Sequence, residues 1–194
     1  MRTKLSLLLS TLAFGLGNAA HAGPFGLEMG MTRDQIETKI GRRGHWHLVP
    51  DIWSHNGSMY FSETAPTDHL AFRRYEYFID EALGLCKVTA IGWTIYDNQS
   101  DGANLRSQYK AITEQLEQRY GKPTNTYDLK AKQHYLETFW SADKATAGLP
   151  DNIDVVALGV YTEPPNKGYL KLRYEFKNLN ECEKNHTKRH SKAL

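Results

Sequence analysis

Residues 104–123 read NLRSQYKAITEQLEQRYGKP. Leu105, Tyr109, Ile112, Leu116 and Tyr120 recur at helical spacing and place one apolar stripe along a single helix. Arg106, Lys110, Glu114, Glu117 and Gln118 form its wet side. Gly121 stops the helix and Pro123 cannot continue it, the usual ending of an amphipathic helix. A shorter helix of the same kind lies upstream. Thr32 can cap it, with Gln35 three residues on completing a capping box, Ile36 and Ile40 on one face, and Gly41 at its end. Met29 and Met31 precede it and can pack beneath.

The segments after each helix read as strands. Tyr75, Tyr77 and Ile79 alternate with Arg74, Glu76 and Phe78. Residues 85–96 carry Val88, Ile91, Trp93, Ile95 and Tyr96, and Leu136 to Trp140 is a further strand. Val155 to Tyr161 is apolar on both faces, as a central strand would be. Leu170, Leu172, Tyr174 and Phe176 alternate with Lys171, Arg173 and Glu175, the pattern of a strand with one solvated face. Turn-rich stretches separate them at 63–68, 98–104, 142–152 and 163–168. Helix then strands, twice over, predicts an α+β fold of tandem halves, 29–96 and 104–178, with the helices packed on one face of the sheet.

The ends carry different information. Arg2 and Lys4, the mostly apolar run Leu5 to Leu16, and Ala20-His21-Ala22 have the form of a cleavable secretory signal peptide over 1–22. The apolar run is shorter than a membrane span, and Gly15, Gly17 and Asn18 interrupt it. No other segment is long and apolar enough to span. The expected mature product is therefore periplasmic or secreted, with one α+β domain over 23–182 and a basic flexible tail over 183–194. Cleavage removes Arg2 and Lys4, so the 22 remaining of 24 Lys and Arg balance the 22 Asp and Glu. A neutral body without a basic stripe argues against a nucleic-acid partner. Cys86 and Cys182 are the two cysteines. In an oxidising compartment a bridge between them is the expected state. Closing so long a loop stabilises by about 4–5 kcal/mol on the chain-entropy account.

Phe25-Gly26-Leu27, then Gly30-Met31-Thr32, Ile36 and Ile40-Gly41 form a pattern. It resembles the opening of small bacterial envelope proteins of the BamE/SmpA outer-membrane-assembly family and of the β-lactamase-inhibitor-protein fold. Tyr120-Gly121-Lys122-Pro123 resembles the Leu-Gly-x-Pro that closes the helix in those proteins. The likeness covers about twenty residues and one tetrapeptide. The chain has no lipid-attachment cysteine, and Arg42-Arg43-Gly44 stands where a proline follows the glycine in the family. The resemblance implies helices before an antiparallel sheet, tandem in the inhibitor, and a role in binding another protein. It assigns no site residue.

Three groups of residues bear on chemistry. His45 and His47 would point to one face of a strand, and His55 and Asp51 lie nearby, a set that could hold a metal ion. No zinc signature accompanies them, and exposed histidines around Trp46 and Trp53 are the competing reading. Asp51, Ser54 and His55 supply triad residue types without a nucleophile elbow, and Asp80-Glu81 reads as a charged hairpin tip. Aromatic residues are in surplus: Trp46, Trp53, Tyr60, Phe61, Trp93 and Trp140 either build the β core or form a binding surface, and Trp46, Trp53 and Tyr60 are the binding candidates. The expectation is a protein without cofactor or catalysis that binds another envelope protein as inhibitor, immunity factor or assembly accessory. The alternatives are a small metal-assisted hydrolase using His45, His47 and His55, and a structural protein whose tail meets anionic lipid or glycan.

Overall fold

The computed structural model describes residues 23–41, 47–48, 59–96, 102–127, 134–144, 148–163 and 167–192. The 1–22 segment, His45, Trp46, Asp51, Trp53, Ser54 and His55 lie outside the described residues. A 3-10 turn at Pro24–Gly26 opens the chain and leads to α1, Arg33–Ile40. Five strands come next: β1 His47–Leu48, β2 Met59–Ser62, β3 Phe72–Asp80, β4 Gly84–Gly92 and β5 Ile95–Tyr96. After α2, Ala103–Tyr120, come β6 Asn125–Tyr127, β7 His134–Ser141, β8 Ile153–Glu163 and β9 Lys167–Phe176, and the chain ends in α3, Leu179–Lys192. The strands form one antiparallel sheet in the order β1-β2-β3-β4-β9-β8-β7-β6, with β5 paired to β9. The fold is α+β.

Local chemistry accounts for the first two helices. The Thr32 hydroxyl accepts from the Gln35 N–H, and the Gln35 side chain accepts in return from the Thr32 N–H at 2.9 Å. Two N–H groups that helix geometry leaves without partners are thereby satisfied. Both helices end on glycines at positive φ, Gly41 at 69° and Gly121 at 80°, where a side chain would be strained. The buried residues of α2 are Leu105, Tyr109, Ile112, Leu116 and Tyr120, the stripe seen in the sequence. They meet Ile36 and Ile40 of α1 and one face of the sheet in a single core with Tyr75, Tyr77, Val88, Trp140, Leu158, Val160, Leu172 and Tyr174. Two of the buried aromatics carry polar handles with clear partners. The Trp140 indole N–H donates to the Gly121 carbonyl at 2.8 Å, and the Tyr109 hydroxyl is hydrogen-bonded to Thr138.

The C-terminal segment differs from expectation. Where composition suggests a basic flexible tail over 183–194, the chain is helical through Lys192. Nor does α3 share a face with α1 and α2. It packs on a separate cluster of Phe78, Cys86, Leu179 and Cys182, and Phe78 alternates along β3 with the core residues Tyr77 and Ile79. A bulge makes this possible. Phe78 pairs with Lys87 and Ile79 with Leu85, so Cys86 is the extra residue of β4 and turns to the α3 side. There it is bridged to Cys182 across 96 residues, both sulfurs in fully buried residues. Around the bulge the segment before α1 docks by two backbone bonds, Gly30 N–H to Leu85 O at 3.0 Å and Leu85 N–H to Met31 O at 2.8 Å.

Polar contacts complete the clamp. Asp80 is not an exposed hairpin tip: it is 2% exposed. It accepts from the Ala82 and Leu83 N–H groups at 3.0 Å, from Asn185 at 3.4 Å and from Arg189 at 2.7 Å. Arg189 also reaches Glu81 at 3.2 Å. Asn178 donates to the carbonyls of Leu83 and Leu85, holding the start of α3 to the same hairpin. A buried carboxylate needs such donors to offset its lost hydration.

Candidate functional site: the open sheet face and its Trp93 corner

α1 and α2 cover one face of the sheet and α3 covers one end of the other. Among the described residues, nothing packs over the remainder of that second face. Strand register assigns its side chains. One row runs across Glu137, Gly159, Lys171, Ile91 and Arg74 on β7, β8, β9, β4 and β3. The next runs across Phe139, Ala157, Arg173, Thr89, Glu76 and Phe61. The β9 residues on this face, Lys171, Arg173 and Glu175, are half-buried, because neighbouring strands crowd their stems.

Charge and aromatic groups alternate over the face. Arg173 pairs with Glu175 at 3.0 Å, and Arg74 pairs with Glu76 at 3.1 Å while its guanidinium lies 4.1 Å from the centre of the Phe61 ring. Tyr161 and Tyr169 stack with ring centres 5.5 Å apart. Gly159 makes room for that stack, since a Cβ there would come within 3.1 Å of the Tyr161 ring. The Lys171 ammonium sits 5.3 Å from the Tyr161 ring centre. Burial holds the Lys171 pKa below its ordinary value, with Glu76 working against the shift and Arg173 and Lys87 adding to it. Burial pushes the Tyr161 phenol up, and Glu137 adds to that.

At the β3–β4 end this face runs into an exposed apolar corner. Leu70 is 96% exposed and Trp93 58%. They are tied together, the Trp93 indole N–H donating to the Leu70 carbonyl at 3.2 Å. Trp93 and Thr94 interrupt the ladder between β4 and β5, which lifts the indole off the sheet. Leu70, Trp93, Phe61, Arg73, Arg74 and Glu63 line a groove of about 570 Å³ there. Tryptophan and arginine side by side, with a neighbouring aromatic, are the residue types that dominate protein-binding energetics.

The sequence candidates fall elsewhere. Tyr60 is half-buried and packs against the main core from β2, under the Arg33 guanidinium at 4.9 Å. Alternation along β2 puts its neighbour Phe61 on the open face instead. Of the three histidines, only the backbone of His47 is described, paired with Phe61 at the sheet edge. Among the described residues no group of three or more His, Cys, Asp or Glu is placed to hold a metal ion, and no helix is long and apolar enough to cross a membrane. Trp140 is fully buried and belongs to the core. Sequence reasoning missed Leu70, which follows Thr67, Asp68 and His69 and runs straight into Ala71 and Phe72, so it reads as the start of a buried strand.

No protein-family model, curated protein or solved structure matches this chain.

Proposed function

We propose that this chain is an exported, non-catalytic protein that binds another protein of the cell envelope through the open sheet face and its Leu70–Trp93 corner. The observation that carries the reading is that corner: a solvent-facing leucine and tryptophan, hydrogen-bonded together beside Arg73 and Arg74. Large apolar side chains this exposed lose free energy in water and recover it on docking. Export rests on the signal-peptide pattern of 1–22, and the buried Cys86–Cys182 bridge is at home in a periplasmic or secreted setting. An inhibitor, immunity or assembly role is the kind of function that fits, in line with the BamE/SmpA-like and inhibitor-like opening of the sequence.

The same proposal includes a tandem origin, 29–96 and 104–178. In its favour, each half runs helix then antiparallel strands, and the sheet order is symmetric about the β4–β9 pair, each half running inward from its own edge of the sheet.

The experiment is capture of partners from envelope extract with oxidised residues 23–194, in parallel with a Leu70→Ala/Trp93→Ala variant of unchanged melting temperature. One near-stoichiometric protein retained by the native chain and lost by the variant supports the reading. Equal capture by both sinks the assignment to this corner, and no saturable partner at any salt concentration sinks the binding role.

A further inference from the structure

A second pocket lies on the helix side of the sheet, and shares Asp68, His69 and Phe72 with the groove at the Leu70–Trp93 corner. Between α2 and the sheet, closed at one end by the 3-10 turn, is a cavity of about 180 Å³. Its walls are apolar: Phe25, Phe72, Ile112, Leu116, Leu172 and the ring of Tyr174. Protein interiors are close-packed, and a cavity of about 150 Å³ suffices to hold a benzene ring. A gap of this size is below the pockets that hold drug-sized ligands and matches a body of one small ring.

Phe25 shows how the wall is built. It is the one non-glycine residue at positive φ among the described residues, 57°. Its carbonyl is held by the Thr67 N–H at 3.0 Å, and its ring stands edge-on to Tyr75, Tyr174 and Phe72 with centres 5.0, 5.7 and 5.9 Å away. A left-handed conformation is costly for a bulky residue and persists only where the surroundings fix it.

The mouth is polar, and its groups have determinate roles. The His69 Nδ1 accepts from the Ala71 N–H at 3.2 Å, so the ring's proton is on Nε2, which donates to the Gln115 Oε1 at 3.1 Å. Gln115 therefore presents its amide NH2 as a donor. Arg119, one helical turn on, lines the same pocket, its guanidinium 5.3 Å from the centre of the Tyr120 ring. The one acid there, Asp68, is turned into its own loop, accepting from the Ala65 N–H at 2.5 Å. The rim thus offers donors over an apolar chamber.

We propose that this cavity binds a small monocarboxylic acid with a compact aromatic or branched apolar body, its carboxylate at Gln115 and Arg119 and its body against Phe25, Ile112 and Leu116. The test is ligand-observed fluorine NMR on residues 23–194 with 4-fluorobenzoate, 4-fluorotoluene and 4-fluorobenzylamine. Saturable 4-fluorobenzoate binding is expected, at least fivefold weaker in Arg119→Gln and in Gln115→Leu, both solvent-facing positions of α2. The same variants should move 4-fluorotoluene binding less than twofold. Leu116→Phe, which fills the chamber, should abolish both. The proposal is overturned by absence of 4-fluorobenzoate binding, by equal or tighter binding of the amine, or by benzoate affinity indifferent to both rim variants. Partner capture repeated with Arg119→Gln, which leaves Leu70 and Trp93 in place, keeps this test separate from the partner-capture experiment.

Discussion

The two faces of the sheet are made from alternate residues of the same strands, yet they are held by different forces. Beneath α1 and α2 the strands contribute Tyr77, Val88, Leu158, Leu172 and Tyr174 to a core that buries them almost completely. On the other face the same strands carry Arg74–Glu76 and Arg173–Glu175 pairs, a tyrosine stack and Lys171, all half in water. That face is covered only at one end, by a helix with little apolar surface of its own. The covered face is stabilised by removal of apolar area from water, roughly 25 cal/mol per Å². The other depends on one covalent bridge, the small apolar cluster around it, and ion pairs, which near water contribute about 0–1 kcal/mol each. Strand alternation thus separates the packed core from the surface proposed for recognition.

The largest effect expected is on the bridge. Cys86→Ser/Cys182→Ser removes a cross-link over 96 residues, at an expected loss of about 4–5 kcal/mol. The loss should be uneven. Amides of Leu179–Lys192 should exchange at near-solvent rates while those of α2, with five buried side chains, stay protected. Hydrogen exchange by mass spectrometry separates the two helices. Continued protection of α3 would mean that Asp80, Arg189 and Asn178 hold it unaided, and that the covalent bridge is not what secures this end of the sheet.

That asymmetry also marks what could be read from the sequence. α2 was legible because five apolar residues at helical spacing leave no other element to form, and β9 because its alternation is unbroken. α3 was not. Leu179 and Cys182 are its only residues in a hydrophobic cluster, and the rest is polar or basic, so its stability comes from tertiary partners that no local pattern announces. Cys86 was legible as a bridge partner but not in its orientation. Simple alternation puts it on one face with Val88 and Ala90, and only the bulge turns it to the other. Tyr60 and Phe61 show the same limit. Both read as surplus aromatics, and a shift of one residue in register decides which of them faces water. The cavity was invisible for a further reason: its walls come from four elements far apart in sequence.

A smaller effect tests the separation of the faces on its own strands. Leu158→Ala on β8 removes a fully buried side chain and should cost about 3 kcal/mol, the range for buried leucines. Arg173→Ala, across the β8–β9 ladder on the open face, should cost under about 1 kcal/mol, since its partner Glu175 keeps access to water. Urea midpoints at constant slope measure both. Equal losses would mean that the open face is covered in the native state by a part of the molecule or a second copy, and would redirect the search for its partner.

The smallest effect is a difference of sign. Burial lowers the Lys171 pKa on the open face, so as pH rises toward the ordinary lysine value near 10.5 the folded chain sheds this proton before the unfolded chain does. The unfolded state then binds more protons, and stability rises with pH through that window. The tyrosines behave oppositely. Burial raises Tyr75, Tyr77, Tyr109, Tyr120 and Tyr174 on the covered face, and Tyr161 on the open one. Their contribution is complete below pH 10 and is lost as pH rises above it, because the unfolded phenols ionise first. Lys171→Met should therefore stabilise the chain at pH 7, by under about 1 kcal/mol, and flatten the rising limb while leaving the alkaline fall intact. Tyr174→Phe should do the reverse, softening the fall and leaving the rise. Urea midpoints between pH 7 and 11 resolve both limbs. If Lys171→Met instead destabilises at pH 7, the ammonium is a net contributor through Tyr161, Glu76 and Glu137, and the open face is held together more firmly than its exposure implies.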